Sequence, residues 1–326
     1  LGRSLMALSG GDWRSFVDTD YGRLREWLDV LGFKPVSHDV VTNACRILAD
    51  DHRIDTARDW VSGLKWDGVP RIQASLISYF GAEDSPYSRA VGAYIFTALA
   101  GRALEPGVQA DMAPVFVGLQ GKRKTSILLA LVPNADFFVE VHLKDIHDKD
   151  QCRLIRGKLV AEISELRGLT TTDRESIKAW ITRRIERWVE KYREHDTTYA
   201  RRVILFGTTN ETEFLDDPTG ERRWLPVEVG DTDPEALVRD REQLWAEGAQ
   251  RFRSSGIAWQ DAERLARAEH AKFKHVDAWA EPVAQYLGEI DPATGHARGS
   301  REFKLQGVLV GALGRPLHVA TRADQR

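Results

Sequence analysis

The apolar positions of this chain change period along its length. Up to about residue 105 they recur at roughly three- to four-residue intervals, the spacing of amphipathic helices. In YGRLREWLDVLGF, Leu24, Trp27, Leu28 and Leu31 share one face. In SHDVVTNACRILADDH, Val40, Val41, Ala44, Ile47 and Leu48 are expected to point inward behind a capping Ser37. KWDGVPRI (65–72) interrupts the pattern, because Asp67-Gly68 and Pro70 favour a turn. A further helix is predicted over Tyr87 to Ala103, and Pro106-Gly107 marks the join to the next region. Short apolar runs then take over as strand candidates: Pro114–Gly118, Phe137–Val141, Lys158–Ile163, Arg202–Gly207 and Trp224–Val229, with helical patterns between the first four. Such alternation predicts an α/β fold with a mostly parallel five-stranded sheet, helices on its faces and a ligand site beyond the carboxyl ends of the strands. From Asp233 to Tyr286 the period is helical again, with alternating charge. REFKLQGVLVGALGRP reads as the start of a small helical module, cut short. The expected division is therefore a helical domain over 1–108, a core over 109–232, and a C-terminal helical region over 233–326.

Composition narrows the classes. A length of 326 residues is ample for a sizeable core, and a chain that starts at Leu1 and stops in mid-pattern is expected to be a piece of a longer polypeptide. The two cysteines, Cys45 and Cys152, are far apart and lack metal-ligand spacing, which favours buried or half-buried thiols in a reducing cytosol. No run has the length of a membrane span and the N-terminus has no signal pattern, so the expected location is cytoplasmic and no membrane partner is expected. A formal charge of -3 gives no global case for nucleic acid, so any such site must be local.

The candidate chemistry begins at FVGLQGKRKTSILLALV (116–132), which reads as a strand, a glycine-bearing turn and a helix, the layout of a P-loop. Phosphates need backbone N–H groups on a tight turn, a helix N-terminus and a flexible cation. Gly118, Gln120, Gly121, Lys122, Arg123, Lys124, Thr125 and Ser126 form the expected ATP-binding loop, with Gly118 and Gly121 letting the backbone approach. Lys124 is placed to reach the β- and γ-phosphates, and Thr125 to offer its hydroxyl to Mg²⁺. Arg123 occupies the position where the usual pattern has glycine. If that position needs a positive φ or close phosphate approach, arginine costs about 1–2 kcal/mol. If its dihedrals are helical, arginine is tolerated and its guanidinium adds a phosphate contact. The sequence leaves both open, although the flanking Lys122, Lys124 and Thr125 favour retained phosphate binding.

Three more elements follow in order. GKLVAEISEL places Glu162 at the end of an apolar strand with Glu165 just beyond, which supplies one carboxylate for Mg²⁺ and one to orient or deprotonate water. RRVILFGTTN ends a strand at Asn210, whose amide suits the attacking water or the γ-phosphate. DDPTGERRW carries Arg222 and Arg223, guanidiniums able to neutralise a transferring phosphoryl group, often in a neighbouring subunit. Each taken singly also has a bland reading, as a strand exit, an Asn turn or solvated arginines.

KWDGVPRI, PGVQADMAPVFVGLQGKRKT, GKLVAEISELRGL, ESIKAW, GTTN and DDPTGERRWLPV, in this order, resemble the virulence-associated protein E family. That family comprises phage- and prophage-borne proteins with a P-loop ATPase core, similar to the superfamily 3 helicase part of primase-helicases. The resemblance implies an AAA+-like core, assembly into a homo-oligomeric ring, and ATP-driven movement on single-stranded or forked DNA in replication of a mobile element. It places Lys124 and Thr125 on the phosphate-loop pair, Glu162 and Glu165 on the acidic strand, Asn210 on the sensor and Arg222 or Arg223 on the paired arginines.

DNA contact is sought in IKAWITRRIERWVEKYREH…YARR, where Lys178 to Arg202 holds eight Lys or Arg against four Asp or Glu among several aromatics. Thr172 with Glu175 resembles a capping box, which predicts a helix from Asp173 to about Trp188. Lys178, Arg183, Arg184 and Lys191 are the candidate phosphate contacts, although the aromatics also fit helix packing and mixed charge also fits a solvated face. The expected activity is thus an ATPase, a helicase-like hydrolase. The alternative is a non-hydrolysing nucleotide-binding assembly module with a degenerate loop, and a small-molecule kinase is weaker because no acceptor motif is present.

Overall fold

The computed structural model describes residues 6–9, 12–142, 149–164, 177–189, 196–210, 223–273, 279–290, 292, 295–300, 308 and 310–312. The chain divides into two units, Leu1–Thr212 with Asp217–Ala271, and Glu213–Asp216 with Lys272–Arg326.

In the first unit, residues 6–15 hold an antiparallel pair, β1 (Met6–Ser9) and β2 (Asp12–Ser15), where helix had been expected. Helices α1 (Asp18–Val30) and α2 (His38–Asp51) follow where the periodicity places them. Ser37 caps α2 by accepting the N–H of Val40 at 3.4 Å. Burial departs from expectation: Val41 is buried, but Trp27, Leu31, Val40, Ile47 and Leu48 are all more than half exposed. The two helices pack on each other, and the main core begins only at Ala57. A helical period identifies an apolar face; it does not say that the rest of the chain covers it.

Helix α3 (Thr56–Gly63) is capped by Asp55, which also pairs with Arg202. The KWDGVPRI segment is a tie. Arg71 grips Asp67 with two bonds, at 2.8 and 2.7 Å, which holds the exposed Asp67 carboxyl down to about 2. Gln243 accepts the N–H of Asp67 at 2.9 Å, and the buried Glu247 accepts those of Arg71 and Ile72 at 2.5 and 3.0 Å. Gln243 and Glu247 lie on α8 (Pro234–Ser255), so residues far apart in sequence fix the turn.

After α4 (Ser75–Phe80), helix α5 (Pro86–Leu104) is buried nearly all round and crosses α8. A Cβ at Gly248 would meet Phe96 O at 2.4 Å, so glycine sets that closeness. Beside these helices lies the sheet, of β3 (Ala113–Val117), β4 (Phe138–Val141), β5 (Val160–Ser164), β8 (Ile204–Thr209) and β9 (Trp224–Glu228). Its order is β4-β5-β8-β3-β9 and every pair is parallel. All five strand expectations meet these elements within a few residues. Helices α6 (Lys124–Ala130) and α7 (Lys149–Leu154) join the successive strands β3, β4 and β5.

Between β5 and β8 the structure corrects the sequence reading. Residues 177–181 are helical, but β6 (Ile185–Val189) then pairs antiparallel with β7 (Asp196–Ala200), so Trp188 sits on a strand rather than a helix. IERWV alternates, with Glu186 and Trp188 inward and Ile185, Arg187 and Val189 outward, a period of two that the neighbouring helical pattern obscured. Thr172 and Glu175 lie outside the described residues. The pair is anchored by Arg201, which donates through Nε to Glu186 Oε1 at 2.7 Å, again to the same oxygen through Nη2, and through Nη1 to Trp180 O at 2.5 Å.

Helix α9 (Gln260–Glu269) completes the regular structure of this unit. In the second unit, α10 (Ala280–Gly288) carries Tyr286, whose ring lies 4.3 Å from the Arg298 guanidinium. Most of the C-terminal module anticipated after residue 300 is outside the described residues. Among the described residues no helix is long and apolar enough to cross a membrane. Both cysteines are free, Cys45 half-buried and Cys152 buried.

Candidate nucleotide site

The candidate site forms where β3, β5 and β8 end. Strand β3 is buried throughout and leads into Gly118, where a Cβ would meet Val229 O at 2.8 Å. Gly121 follows with a φ of +88°, a conformation that glycine adopts without strain. Arg123 has φ 55° and ψ 34°, and it is the one non-glycine residue with positive φ among the described residues. Helix α6 starts at the next residue. Of the two conformations open for Arg123, the structure therefore has the left-handed one.

The Arg123 side chain leaves the loop and pairs with Glu235 on the first turn of α8, Nη1 to Oε2 at 3.0 Å and Nη2 to Oε1. Lys122 pairs with Asp231 at 2.5 Å, and its carbonyl accepts the hydroxyl of Thr232 at 2.8 Å. Lys124 turns the other way. Its ammonium donates to Gly118 O at 2.6 Å, Leu119 O at 3.1 Å and Asn210 Oδ1 at 2.7 Å. Burial pulls its pKa below the ordinary lysine value, and nearby Glu162 acts against that shift. Gln120 and Ser126 are exposed on the loop and on the first turn of α6.

Glu162 is buried on β5 beneath α6. Its Oε1 accepts hydroxyls from Thr125 at 3.0 Å and Thr208 at 2.7 Å, while its buried Oε2 has no partner. Burial pushes this carboxyl above its ordinary range; the Thr208 and Thr125 hydroxyls oppose the shift, Glu140 adds to it, and Lys124 opposes it. Glu140 is opposite Glu162 in the β4–β5 register. A buried carboxylate oxygen without a partner, next to a threonine hydroxyl, offers hard oxygen donors of the kind a divalent cation takes. Thr208 and Glu140 were missed by motif reading. The signal for Glu140 was only its place in an FVEV strand, and Thr208 lay inside the GTTN run already singled out.

The structure thus brings together Lys124, Thr125, Glu162 and Asn210, with Gly118 and Gly121 framing the loop. It does not bring Arg223 there. Trp224 pairs with Ala113, so Arg223 stands at the amino ends of the strands, about 13 Å or more from the loop at strand rise. There it lines a pocket of about 250 Å³ with Tyr94, Gln109, Asp111, Trp259 and Glu263. Glu165, Lys191 and Arg222 lie outside the described residues. Of the other candidate DNA contacts, Lys178 is buried, Arg184 donates to Gly107 O at 2.6 Å, and Arg183 is exposed with Glu186 at 3.5 Å.

A model of the virulence-associated protein E-like domain matches residues 61–276, which takes in the KWDGVPRI tie, the sheet and the loop. The chain belongs to this family. Comparison with curated proteins finds no match. Among solved structures, the virulence-associated protein E-like chain is similar to an apo structure of the NrS-1 C-terminal region (305–718), with 14% identity, a TM-score of 0.47, and coverage of 70% of this chain and 57% of that one. An A-form apo structure of the same region gives 14% and 0.46, covering 71% and 57%. The chain therefore spans 57% of the length of these solved chains.

Proposed function

We propose that this virulence-associated protein E-like chain is the motor core of a ring-forming, ATP-hydrolysing DNA helicase that serves replication of a phage or mobile element, with an AAA+-like P-loop fold. The observation that carries the reading is the convergence of Lys124, Thr125, Glu162 and Asn210 at the ends of three adjacent parallel strands. Crevices at the carboxyl ends of such strands are where open α/β sheets bind ligands. Lys124 exchanges its two carbonyls for the β- and γ-phosphates, where both partners are charged and the pairing is stronger. Thr125 and Glu162 are the residues that would hold Mg²⁺, and the ion would neutralise charge on the phosphate oxygens. Asn210 stays beside Lys124 and orients the γ-phosphate or the attacking water, and Glu165 is the water's base.

Arg223 supports assembly. At the opposite end of the sheet it is out of reach of its own chain's triphosphate, so a role in charge neutralisation requires a second copy, as in a ring. DNA contact is assigned to the β6–β7 insertion, with exposed Arg183 and Arg187 as phosphate contacts in place of buried Lys178 and engaged Arg184.

ATP turnover with and without single-stranded DNA, alongside native mass, tests the proposal. Turnover stimulated by DNA, lost in Lys124→Ala, and an oligomeric mass are expected. A full-length assembled protein that binds ATP but never hydrolyses it would leave only the non-hydrolysing module.

A further inference from the structure

The loop carries two cations beyond Lys124, and both are tied to one short stretch. Lys122 pairs with Asp231, Arg123 with Glu235, and Thr232 donates to the Lys122 carbonyl. The acidic partners are well placed. Asp233 caps α8 by accepting the N–H of Ala236 at 2.8 Å, Pro234 opens the helix, and Glu235 sits in the first turn, where the helix dipole favours a carboxylate. Arg123 is equally constrained, because its left-handed backbone fixes where the side chain leaves the loop. A guanidinium next to Lys124 is a strong phosphate ligand unless something else holds it.

We infer that Glu235 is a positioning residue for the phosphate loop: it holds the Arg123 guanidinium over the first turn of α8, so that a loop with arginine in glycine's place keeps its phosphate seat for Lys124 alone. This rests on the nucleotide-site reading above. The pair is half exposed on both sides, 49% and 61%, so its hold is modest, and neutralising Glu235 removes it and leaves the guanidinium free for a polyphosphate. The freed Arg123 would then bind substrate and product phosphates alike, and uniform binding of that kind tightens the ground state without aiding the chemical step.

The test is titration of a fluorescent ATP analogue and steady-state hydrolysis in the full chain, for wild type, Glu235→Gln, Arg123→Gly, Arg123→Gly with Glu235→Gln, and Glu235→Asp. Glu235→Gln should bind the analogue about two- to fivefold more tightly, with KM lowered and kcat not raised. In the Arg123→Gly background the same change should do nothing, and Glu235→Asp should restore wild-type behaviour at least in part. A merely structural carboxylate would weaken binding, and would do so equally in both backgrounds. Unchanged binding in Glu235→Gln, or an equal shift with and without Arg123, overturns the inference and leaves the nucleotide site standing. A wild-type chain that binds no nucleotide overturns both.

Discussion

Glu186→Ala is the most informative perturbation away from the loop. Glu186 and Arg201 are each about 1% exposed, and Glu186 is the only carboxylate to which Arg201 is bonded among the described residues. Glu186 Oε2 also accepts the Cys152 thiol at 3.3 Å; burial first, then this carboxylate, pushes that thiol up to about 11, so it stays protonated as a donor. Truncating Glu186 strands the guanidinium where desolvation already lowers its pKa. Breaking a buried pair from one side costs about 3–5 kcal/mol, a large share of a typical domain's stability of roughly 5–15 kcal/mol. The loss should fall first on β6, β7 and α7, which surround the pair. Urea melts measure the total, and hydrogen exchange of 185–200 locates it. Because β6–β7 is the proposed DNA element, basal ATP turnover should survive at temperatures where DNA stimulation is lost. A cost below about 1 kcal/mol, typical of an exposed pair, would refute the anchoring role.

Other consequences are equally open to measurement. Thr208→Val removes a hydroxyl that holds the Glu162 pKa down, so the acid limb of Mg²⁺-dependent turnover should move to higher pH. Burial raises the folded-state pKa of Glu162, so its contribution to nucleotide-free stability is present below the ordinary glutamate range and lost as pH rises through the folded value. The Tm of Glu162→Gln relative to wild type should therefore improve as pH rises across that window, while its Mg²⁺-dependent turnover disappears. Gly248→Ala gains up to about 1 kcal/mol of helix propensity yet should lose about 1–3 kcal/mol net in a urea melt, because the new methyl meets the α5 backbone.

Much of the sheet was legible in the sequence because its strands are buried on both faces and read as apolar runs bounded by glycine and turn residues. The turn between β3 and α6 was legible because an apolar strand, two glycines and a helical apolar pattern follow one another directly. Other features were not. The β6–β7 pair was hidden because IERWV follows directly on a helical run and both periods fit a stretch that short. The exposure of Trp27 and Ile47 was hidden because periodicity marks a face and not its cover. The Arg123–Glu235 pair joins residues 112 apart in sequence, and no local pattern forecasts it. The same is true of KWDGVPRI, whose order comes partly from Gln243 and Glu247 on α8.

The most direct measurement is an experimental structure of the chain with a non-hydrolysable ATP analogue and Mg²⁺. The triphosphate should lie over residues 118–125, with Lys124 moved from Gly118 O and Leu119 O onto it, Asn210 still alongside, and the metal between Thr125 and Glu162. An analogue bound elsewhere, or a loop with Lys124 still on its own carbonyls while the analogue is saturating, would contradict the nucleotide site itself.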